Sequence, residues 1–418
     1  MSIVPVPLRR PVVARDTGED HRAATPLELL FDLVFVVAIA SNAAQLHHGL
    51  SAGHLDTVVG YTLTWFAIWW AWMNYTWFAS AYDNDDVGFR LLTFVIMTGA
   101  LFLAAGVPDI FADGQSVVVV IGYAIMRFGM VGLWLRAAAG HPERRETALW
   151  YAGGITVVQL LWIARLWVPE SWYIPSFLVL VVLELLVPVL AEARHGYTPF
   201  HPHHIAERYG LLTIIVLGEV ILSSVQAIQG AMADTTEAAT VSGGHSAPYA
   251  AEPAAGTGLT WAMAPLIAGG LLIVFALWWS YFSRDHVTIV ENPRSVWLFG
   301  YGHLPIFASV AAVGAALAAA VDVIQGDADA GPRPIALALA VAISVVSLTL
   351  GGLHALGPLE TVRTMVPGVV VSVLCLGTAL VVSSMGLAVL LMGLVLAGLV
   401  AQKVMTVQRV STGEAVHG

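Results

Sequence analysis

The chain is poor in the residues on which soluble and disulfide-bonded proteins depend. Its single cysteine, Cys375, lies in an apolar run and excludes both an internal disulfide and a thiolate metal cluster. Only 11% of the residues are charged, whereas soluble domains have about 25%. Its 18 lysines and arginines are outnumbered by 28 acidic residues, so no nucleic-acid partner is expected. With 58% hydrophobic residues, the chain is expected to be an all-helical protein embedded in a lipid bilayer.

The sequence contains many long apolar runs. A membrane-spanning helix needs about 20 mainly apolar residues. By that rule the sequence predicts twelve spans, at 26–46, 57–81, 88–107, 116–138, 147–168, 174–192, 204–229, 259–283, 294–320, 333–354, 363–382 and 384–406. The first run contains Glu28 and Asp32 and has no small-residue cleavage site, so a retained helix is predicted instead of a signal peptide.

The basic residues predict the orientation in the membrane, because short cytoplasmic loops are enriched in lysine and arginine. If both termini are cytoplasmic, fifteen basic residues fall on that side and only Arg165 and Arg333 on the outer side. Arg127 falls within a span. The asymmetry predicts cytoplasmic termini and an even number of spans.

Two aromatic segments 209 residues apart suggest an internal duplication. Phe66–Trp72 reads FAIWWAW and Phe275–Tyr281 reads FALWWSY, while Glu28 matches Glu207 at an offset of 179. Two six-helix halves would enter the membrane in the same direction, and parallel repeats of this kind occur in transporters. The predicted segments are a disordered cytoplasmic arm at 1–25, a first repeat at 26–192, a cytoplasmic linker at 193–203, a second repeat at 204–406 with a disordered outer loop at 230–258, and a cytoplasmic tail at 407–418.

Several ionisable residues fall inside predicted spans. Glu28 and Asp32 are four residues apart and share one face of a helix, and Glu207 is the repeat-related partner of Glu28. Glu219 and His303 lie at similar depth in later spans. A carboxyl group in hydrocarbon is costly and is expected to face the bundle interior. These five residues are therefore candidates for proton or ion coupling, and an equally weighted alternative gives Asp32 and Glu219 only a packing role.

Other residues support narrower hypotheses. Arg127 and Glu184 are predicted to form a buried pair whose role is more often structural than functional. Tryptophans too central for an interfacial belt suggest a substrate path, with interhelical packing as the favoured alternative. The candidates for that path are Trp69, Trp70, Asn74, Trp278 and Trp279.

A metal site is not favoured, and no cofactor is predicted. His203, His204 and Glu207, next to His201, are weak candidates, because metal sites normally need three or four convergent ligands. A second acidic group could supply oxygen ligands, but a solvated helix cap explains it equally well. That group consists of Asp83, Asp85 and Asp86.

Five stretches resemble the bacterial low-temperature-requirement A family: TPLELLFDLVFVVAIA, the WW pair of the second span followed by Asp83–Asp86, HIAERYGLLTIIVLGE, FALWWSYF and YGHLPI. The resemblance extends from about Thr25 to His303. It implies a multi-pass membrane protein of a family named for a cold-growth phenotype, and it implies no particular activity. Ser283 stands where the family usually has an acidic residue, so no ligand role is carried over there. The motif positions that match are Glu28, Phe31, Asp32, Phe35, Glu207, Arg208, Gly218, Glu219 and His303.

Three functional hypotheses follow from these residues. The leading one is a secondary transporter for a small molecule or ion, coupled to protons, with Asp32 and Glu219 as coupling carboxylates and His303 as a relay. The second is a membrane accessory or sensor protein in cold or stress adaptation. The third is an intramembrane metal-dependent lipid enzyme, and an enzyme is the less favoured class.

Overall fold

A computed structural model of the protein describes residues 6–16, 19, 22–242, 263–357 and 362–411. The regular structure in these ranges is helical throughout. The helices are α1 Pro26–Ser51, α2 Thr57–Tyr82, α3 Val87–Asp113, α4 Val117–Gly140, α5 Arg145–Ala164, α6 Tyr173–His195, α7 Pro202–Ser242, α8 Met263–Phe282, α9 Val287–Glu291, α10 Val296–Gln325, α11 Pro332–His354, α12 Val366–Val381 and α13 Met385–Ser411.

Within the described ranges, nine helical segments are long and apolar enough to cross a membrane. They are α1, α3, α4, α8, α10, α11, residues Met385–Met405 of α13, and the segments Pro142–Trp167 and Glu170–His195 that contain α5 and α6. The prediction of an all-helical, multi-pass protein is therefore confirmed. The spans predicted in α2, α7 and α12 stay predictions. α12 has only 16 residues, fewer than the about 20 that a spanning helix needs.

The chain divides into two compact units, each described here by itself. The first unit comprises Met1–Gln45 and Val59–Ile215, and the second comprises Leu46–Val58 and Val216–Gly418. The boundaries fall within helices, and the start of α7 belongs to the first unit. The parallel repeats and the cytoplasmic termini stay predictions.

The structure describes parts of the two segments that the sequence predicts to be disordered. Helix α7 continues to Ser242, beyond the predicted end at 229, and the remainder of the predicted outer loop lies outside the described residues. In the arm, the Arg15 amide donates to the Ala81 carbonyl and the side chain of Val12 is buried. The arm can pack there because Gly140 leaves room: a Cβ at this position would lie 2.2 Å from the Val12 carbonyl oxygen.

Glycines allow close helix packing within each unit. A Cβ at Gly99 of α3 would lie 2.5 Å from the carbonyl oxygen of Gly122 of α4. In the second unit, a Cβ at Gly393 of α13 would lie 2.6 Å from the carbonyl oxygen of Gly269 of α8. Because lipid supplies no hydrophobic force between helices, membrane bundles depend on such small-residue contacts.

Candidate functional site

Helix α1 begins with a capping box that orients Glu28. The amide and Oγ1 of Thr25 donate hydrogen bonds to Glu28 Oε2 at 2.8 and 2.9 Å, and the Glu28 amide donates to Thr25 Oγ1 at 3.3 Å. Pro26 occupies the first helical position, where its missing N–H costs nothing. This reciprocal arrangement satisfies amides that a helix start otherwise leaves free. It occupies one oxygen of Glu28 and turns the other, Oε1, towards cationic side chains.

Helix α7 begins at a histidine cap. The His204 amide donates to His201 Nδ1 at 3.4 Å, and the Ile205 amide donates to the His201 carbonyl at 3.1 Å. His201 Nε2 lies 2.8 Å from the carbonyl oxygen of Glu19, and because a carbonyl can only accept, Nε2 carries the proton. Both ring nitrogens of His201 are therefore used by the protein itself.

Two pairs of residues with the same spacing face one another across α1 and α7. Glu28 Oε1 lies 3.0 Å from His204 Nε2 and 3.0 Å from Arg208 Nη1. Arg208 Nη2 donates to Asp32 Oδ1 at 2.5 Å. All four side chains are completely buried. Both pairs are four residues apart, so each lies along one face of its helix and the acids meet the basic residues.

Helix α2 contributes a further donor, and Asp83, directly after its end, contributes an acid. Trp72 Nε1 donates to Asp32 Oδ1 at 2.7 Å. Arg22, from the arm, donates to the carbonyls of Ala79 and Ser80 near the end of α2, where the helix dipole favours a cation. Arg22 Nη2 also lies 3.6 Å from Asp83 Oδ2 and 3.7 Å from Glu28 Oε1. We call Arg22, Glu28, Asp32, Asp83, His204 and Arg208 the charge cluster.

Burial shifts the titration of the groups at the end of the cluster. It lowers the pKa of Arg22, and together with the nearby charge of Glu28 it raises the pKa of Asp83 to about 6. Removal from water disfavours the charged form of each group, which lowers the pKa of a base and raises that of an acid. Asp83 therefore changes its protonation near neutral pH.

The charge cluster has an excess of acid. It contains three carboxylates and two guanidinium groups, so with a neutral His204 its net charge is −1. Uncompensated buried charge is costly, and a single added proton would remove it. Asp32 Oδ2 is buried and has no hydrogen-bond partner among the residues that the structure describes. It is a suitable place for that proton, since a protonated carboxyl group becomes a donor.

Arg127 and Glu184 form an ion pair in the first unit, and the three aromatic residues that hydrogen-bond to them do not belong to the charge cluster. Arg127 Nη2 is 3.3 Å from Glu184 Oε2 and 2.5 Å from the Tyr123 hydroxyl oxygen. Glu184 also accepts hydrogen bonds from Trp70 Nε1 at 2.8 Å and Trp162 Nε1 at 3.2 Å. Both oxygens of Glu184 accept hydrogen bonds, so this pair ties four helices together.

The aromatic path candidates are divided between the units. Trp69 and Trp70 are buried in the first unit, where Asn74 donates to the Trp70 carbonyl at 2.6 Å. Trp278 and Trp279 belong to the second unit, and about half of each side chain is exposed. The two pairs therefore belong to different units, and the substrate path stays a prediction.

The later coupling candidates, Glu219 and His303, also belong to the second unit, where both are buried. His303 Nδ1 donates to the Phe299 carbonyl at 2.7 Å, and Nε2 then accepts from the Tyr281 hydroxyl at 2.9 Å. Ser283 donates to the Ser280 carbonyl at 2.9 Å. Both ring nitrogens of His303 are therefore engaged within the second unit.

The weak metal candidates do not converge. His203 is exposed, Glu207 is half-buried, and His204 turns towards Glu28. Across the described ranges, no three His, Cys, Asp or Glu side chains are arranged to hold a metal ion.

The acidic group after α2 has separate structural partners. Asp86 caps α3 by accepting from the Phe89 amide at 2.7 Å and also accepts from Arg136 at 2.6 Å. Asp85 pairs with Arg90 at 2.7 Å on the surface. Burial opposes ionisation of Asp86, but its hydrogen bonds outweigh burial and hold its pKa below the usual range.

Sequence reasoning identified the acids of the cluster better than their partners. It missed Arg22, which lies in the arm, and Trp72, which was one tryptophan among 14. It found Arg208 only through the family resemblance. The spacing held a usable signal, because His204 and Arg208 repeat the four-residue spacing of Glu28 and Asp32.

Comparison with known proteins identifies a family match over most of the chain. The model of the bacterial low temperature requirement A protein matches residues 23–402, which include the whole charge cluster except Arg22. An uncharacterized protein of Rhizobium meliloti (strain 1021) is 26% identical over 312 residues, covering 71% of this chain and 69% of that protein. The chain therefore belongs to the bacterial low temperature requirement A family.

Proposed function

We propose that the protein is a proton-coupled secondary transporter of the bacterial cytoplasmic membrane and that the charge cluster binds the coupling proton. The observation that carries the proposal is the buried, unpartnered Oδ2 of Asp32 beside a cluster with one excess negative charge. Ionisable groups buried in membrane helices commonly mark ion or proton pathways.

The cluster has the parts that a proton relay requires. Asp83 is at one end, and its pKa of about 6 lets it exchange protons near neutral pH. Arg22 lies within 3.7 Å of both Asp83 and Glu28, and Arg208 contacts both Glu28 and Asp32. A proton that binds at one acid therefore changes the charge balance at the next.

Glu219 is a second coupling candidate within the same proposal, because it is a buried acid of the second unit. His303 has no role in it, since a relay needs a ring nitrogen that can change partner and both are engaged. The proposal names no transported solute.

Proton flux in proteoliposomes tests the proposal. Wild type, Asp32→Asn and the control Asp85→Asn would be reconstituted with a pH-sensitive dye, given an imposed pH gradient and challenged with pools of amino acids, sugars, osmolytes and cations. Asp85 is an exposed carboxylate of the same unit, so its removal has the same charge change without entering the cluster. We expect solute-dependent proton flux in wild type and the control and its loss in Asp32→Asn. Equal flux in all three, or flux in none, would refute the proposal.

A second candidate is an accessory or sensor protein in cold adaptation. The capping box of Glu28 and its contacts with Arg208 favour it, because a buried ion network also fixes helix register without moving ions. It predicts that folded Asp32→Asn protein still supports growth in the cold, whereas the transporter predicts a growth defect. The metal-dependent lipid enzyme has no supporting ligand group among the described residues and is not proposed.

A further inference from the structure

The first unit contains a small cavity whose described lining includes no residue of the charge cluster. The cavity has a volume of about 80 Å³ and is bounded by part of α2, the end of α3, the start of α4, the end of α5 and the start of α6. One buried water needs about 10–15 Å³ of such space, whereas sites for drug-sized ligands have about 300–1,000 Å³. The cavity therefore suits a few waters or one small ion.

Arg165 supplies a positive charge to the lining. It is only 9% exposed, and no ion pair within the described ranges includes it. Its Nε donates to Ser176 Oγ at 3.2 Å, and its Nη2 donates to the Tyr173 carbonyl at 2.9 Å. Both acceptors are neutral. The remaining protons of Nη1 and Nη2 form a fork that fits two oxygens of an oxyanion.

Aromatic rings surround this guanidinium group. Its Cζ lies 5.9 Å from the ring centre of Trp162 and 5.6 Å from those of Tyr173 and Phe177. The ring faces attract a cation and exclude water, but the rings have no net charge. The positive charge is therefore held in place without being neutralised, and a bound anion would balance it.

Thr64 provides a hydroxyl donor without a partner in the protein. Its side chain lines the cavity and is 2% exposed, and its Oγ1 is buried with no hydrogen-bond partner among the described residues. A buried threonine in a helix commonly donates to the carbonyl four residues earlier, as Thr93 does to Phe89 at 2.9 Å. An unpaired buried hydroxyl is costly. A ligand that accepts from Thr64 would remove this cost.

The start of α4 adds polar groups to the lining. Gln115 Nε2 donates to the Tyr173 hydroxyl at 2.7 Å, whereas its Oε1 is buried and unpartnered among the described residues. Ser116 caps α4 by accepting from the Val119 amide at 3.3 Å, and its hydroxyl donates to Asp109, an exposed acid outside the described lining. The first turn of a helix favours an anion, and Gln115 Oε1 requires a donor.

We propose that this cavity binds a small planar oxyanion that carries one O–H group, of the size and chemistry of hydrogencarbonate. Its charged oxygens accept from Arg165 and Thr64, and its O–H donates to Gln115 Oε1. The inference goes beyond the proposed proton coupling and does not depend on it, because every residue it uses lies in the first unit outside the charge cluster.

Thermal unfolding of the purified full chain in neutral detergent tests the site. Sodium gluconate would be replaced stepwise by sodium hydrogencarbonate or sodium nitrate at constant pH and sodium concentration. Nitrate matches hydrogencarbonate in shape and charge but has no O–H, and gluconate is too large for the cavity. The variants are Arg165→Gln, Thr64→Val and Gln115→Met. The matched control is Arg145→Gln, which removes an exposed cation at the start of α5, outside the described lining.

The dependence of the unfolding temperature on anion concentration gives an apparent Kd for each protein. We expect hydrogencarbonate to stabilise wild type and Arg145→Gln equally and to bind Arg165→Gln about tenfold more weakly or worse. Thr64→Val should weaken both anions. Gln115→Met should weaken hydrogencarbonate and leave nitrate unchanged.

No stabilisation of wild type by hydrogencarbonate relative to gluconate would overturn the site, as would unchanged affinity in Arg165→Gln and Thr64→Val. Equal affinity of wild type for nitrate and hydrogencarbonate would overturn the contact between the ligand O–H and Gln115. Size-exclusion profiles identify a variant that fails to fold. If Arg165→Gln does so, Thr64→Val decides the outcome, because it keeps the cation and the shape of the side chain.

Discussion

Arg208→Gln is the most direct test of the energetics of the charge cluster. The substitution removes the cation that lies 3.0 Å from Glu28 Oε1 and 2.5 Å from Asp32 Oδ1. Arg208 itself is completely buried, so water does not replace the lost contacts without a rearrangement. Both carboxylates would be left in the bundle without their closest positive charge.

The cost follows from this burial. Removing one partner of a buried ion pair costs about 3–5 kcal/mol, because the remaining charge stays desolvated. An exposed pair costs about 0–1 kcal/mol, since water takes over both charges. Arg90 provides the exposed comparison within the same unit, because it pairs with Asp85 at 2.7 Å while 39% of its side chain remains accessible. We therefore expect Arg208→Gln to lower the free energy of unfolding several times more than Arg90→Gln.

The free energy of unfolding can be measured by SDS titration in mixed micelles, with wild type and both variants in parallel. A double-mutant cycle with Asp32→Asn then isolates the contact between the two side chains. The Asp32 substitution should cost less in the Arg208→Gln background than in wild type, because the charge has already lost its partner. Equal losses for Arg208→Gln and Arg90→Gln, together with additive effects in the cycle, would refute the buried-charge argument.

Three further substitutions test separate features of the first unit. Burial raises the pKa of Asp83 to about 6, so the stability that its protonated form contributes should be complete below about pH 4 and lost as the pH rises through 6. Asp83→Asn should remove this pH dependence, which amounts to up to about 3 kcal/mol. Unfolding curves recorded from pH 4 to 8 measure it. Thr25→Ala removes the capping box and should cost about 1 kcal/mol in the same SDS titration, whereas no change would contradict the cap. Gly99→Ala should cost about 1–3 kcal/mol, because its Cβ would meet the backbone of Gly122. Gly153→Ala is the control and should be neutral or stabilising, because a Cβ at Gly153 would meet open space. Similar losses at both glycines would contradict the close α3–α4 contact.

Local sequence patterns predicted the membrane class because that class depends on composition and run length alone. Low charge and long apolar runs require a lipid environment wherever the helices lie. The pattern was less informative where a helix end depends on other segments. α7 extends past its predicted end to Ser242, and Val12 of the predicted disordered arm is buried because Gly140 leaves space for it. The contact between Val12 and Gly140 joins distant segments of the chain, and local periodicity does not contain such a contact.

The candidate site shows the same division. The sequence by itself determined that Glu28 and Asp32 share a helix face and must avoid lipid, because helical spacing and the cost of buried charge follow from local residues. Only the tertiary structure decided their partners, since Arg208 is 176 residues from Asp32 along the chain. It also decided that Glu184 has both oxygens occupied while Asp32 keeps one unpartnered among the described residues. The difference between a buried acid whose two oxygens both accept hydrogen bonds and one with an unpartnered oxygen lies in this geometry, which no spacing along the chain specifies.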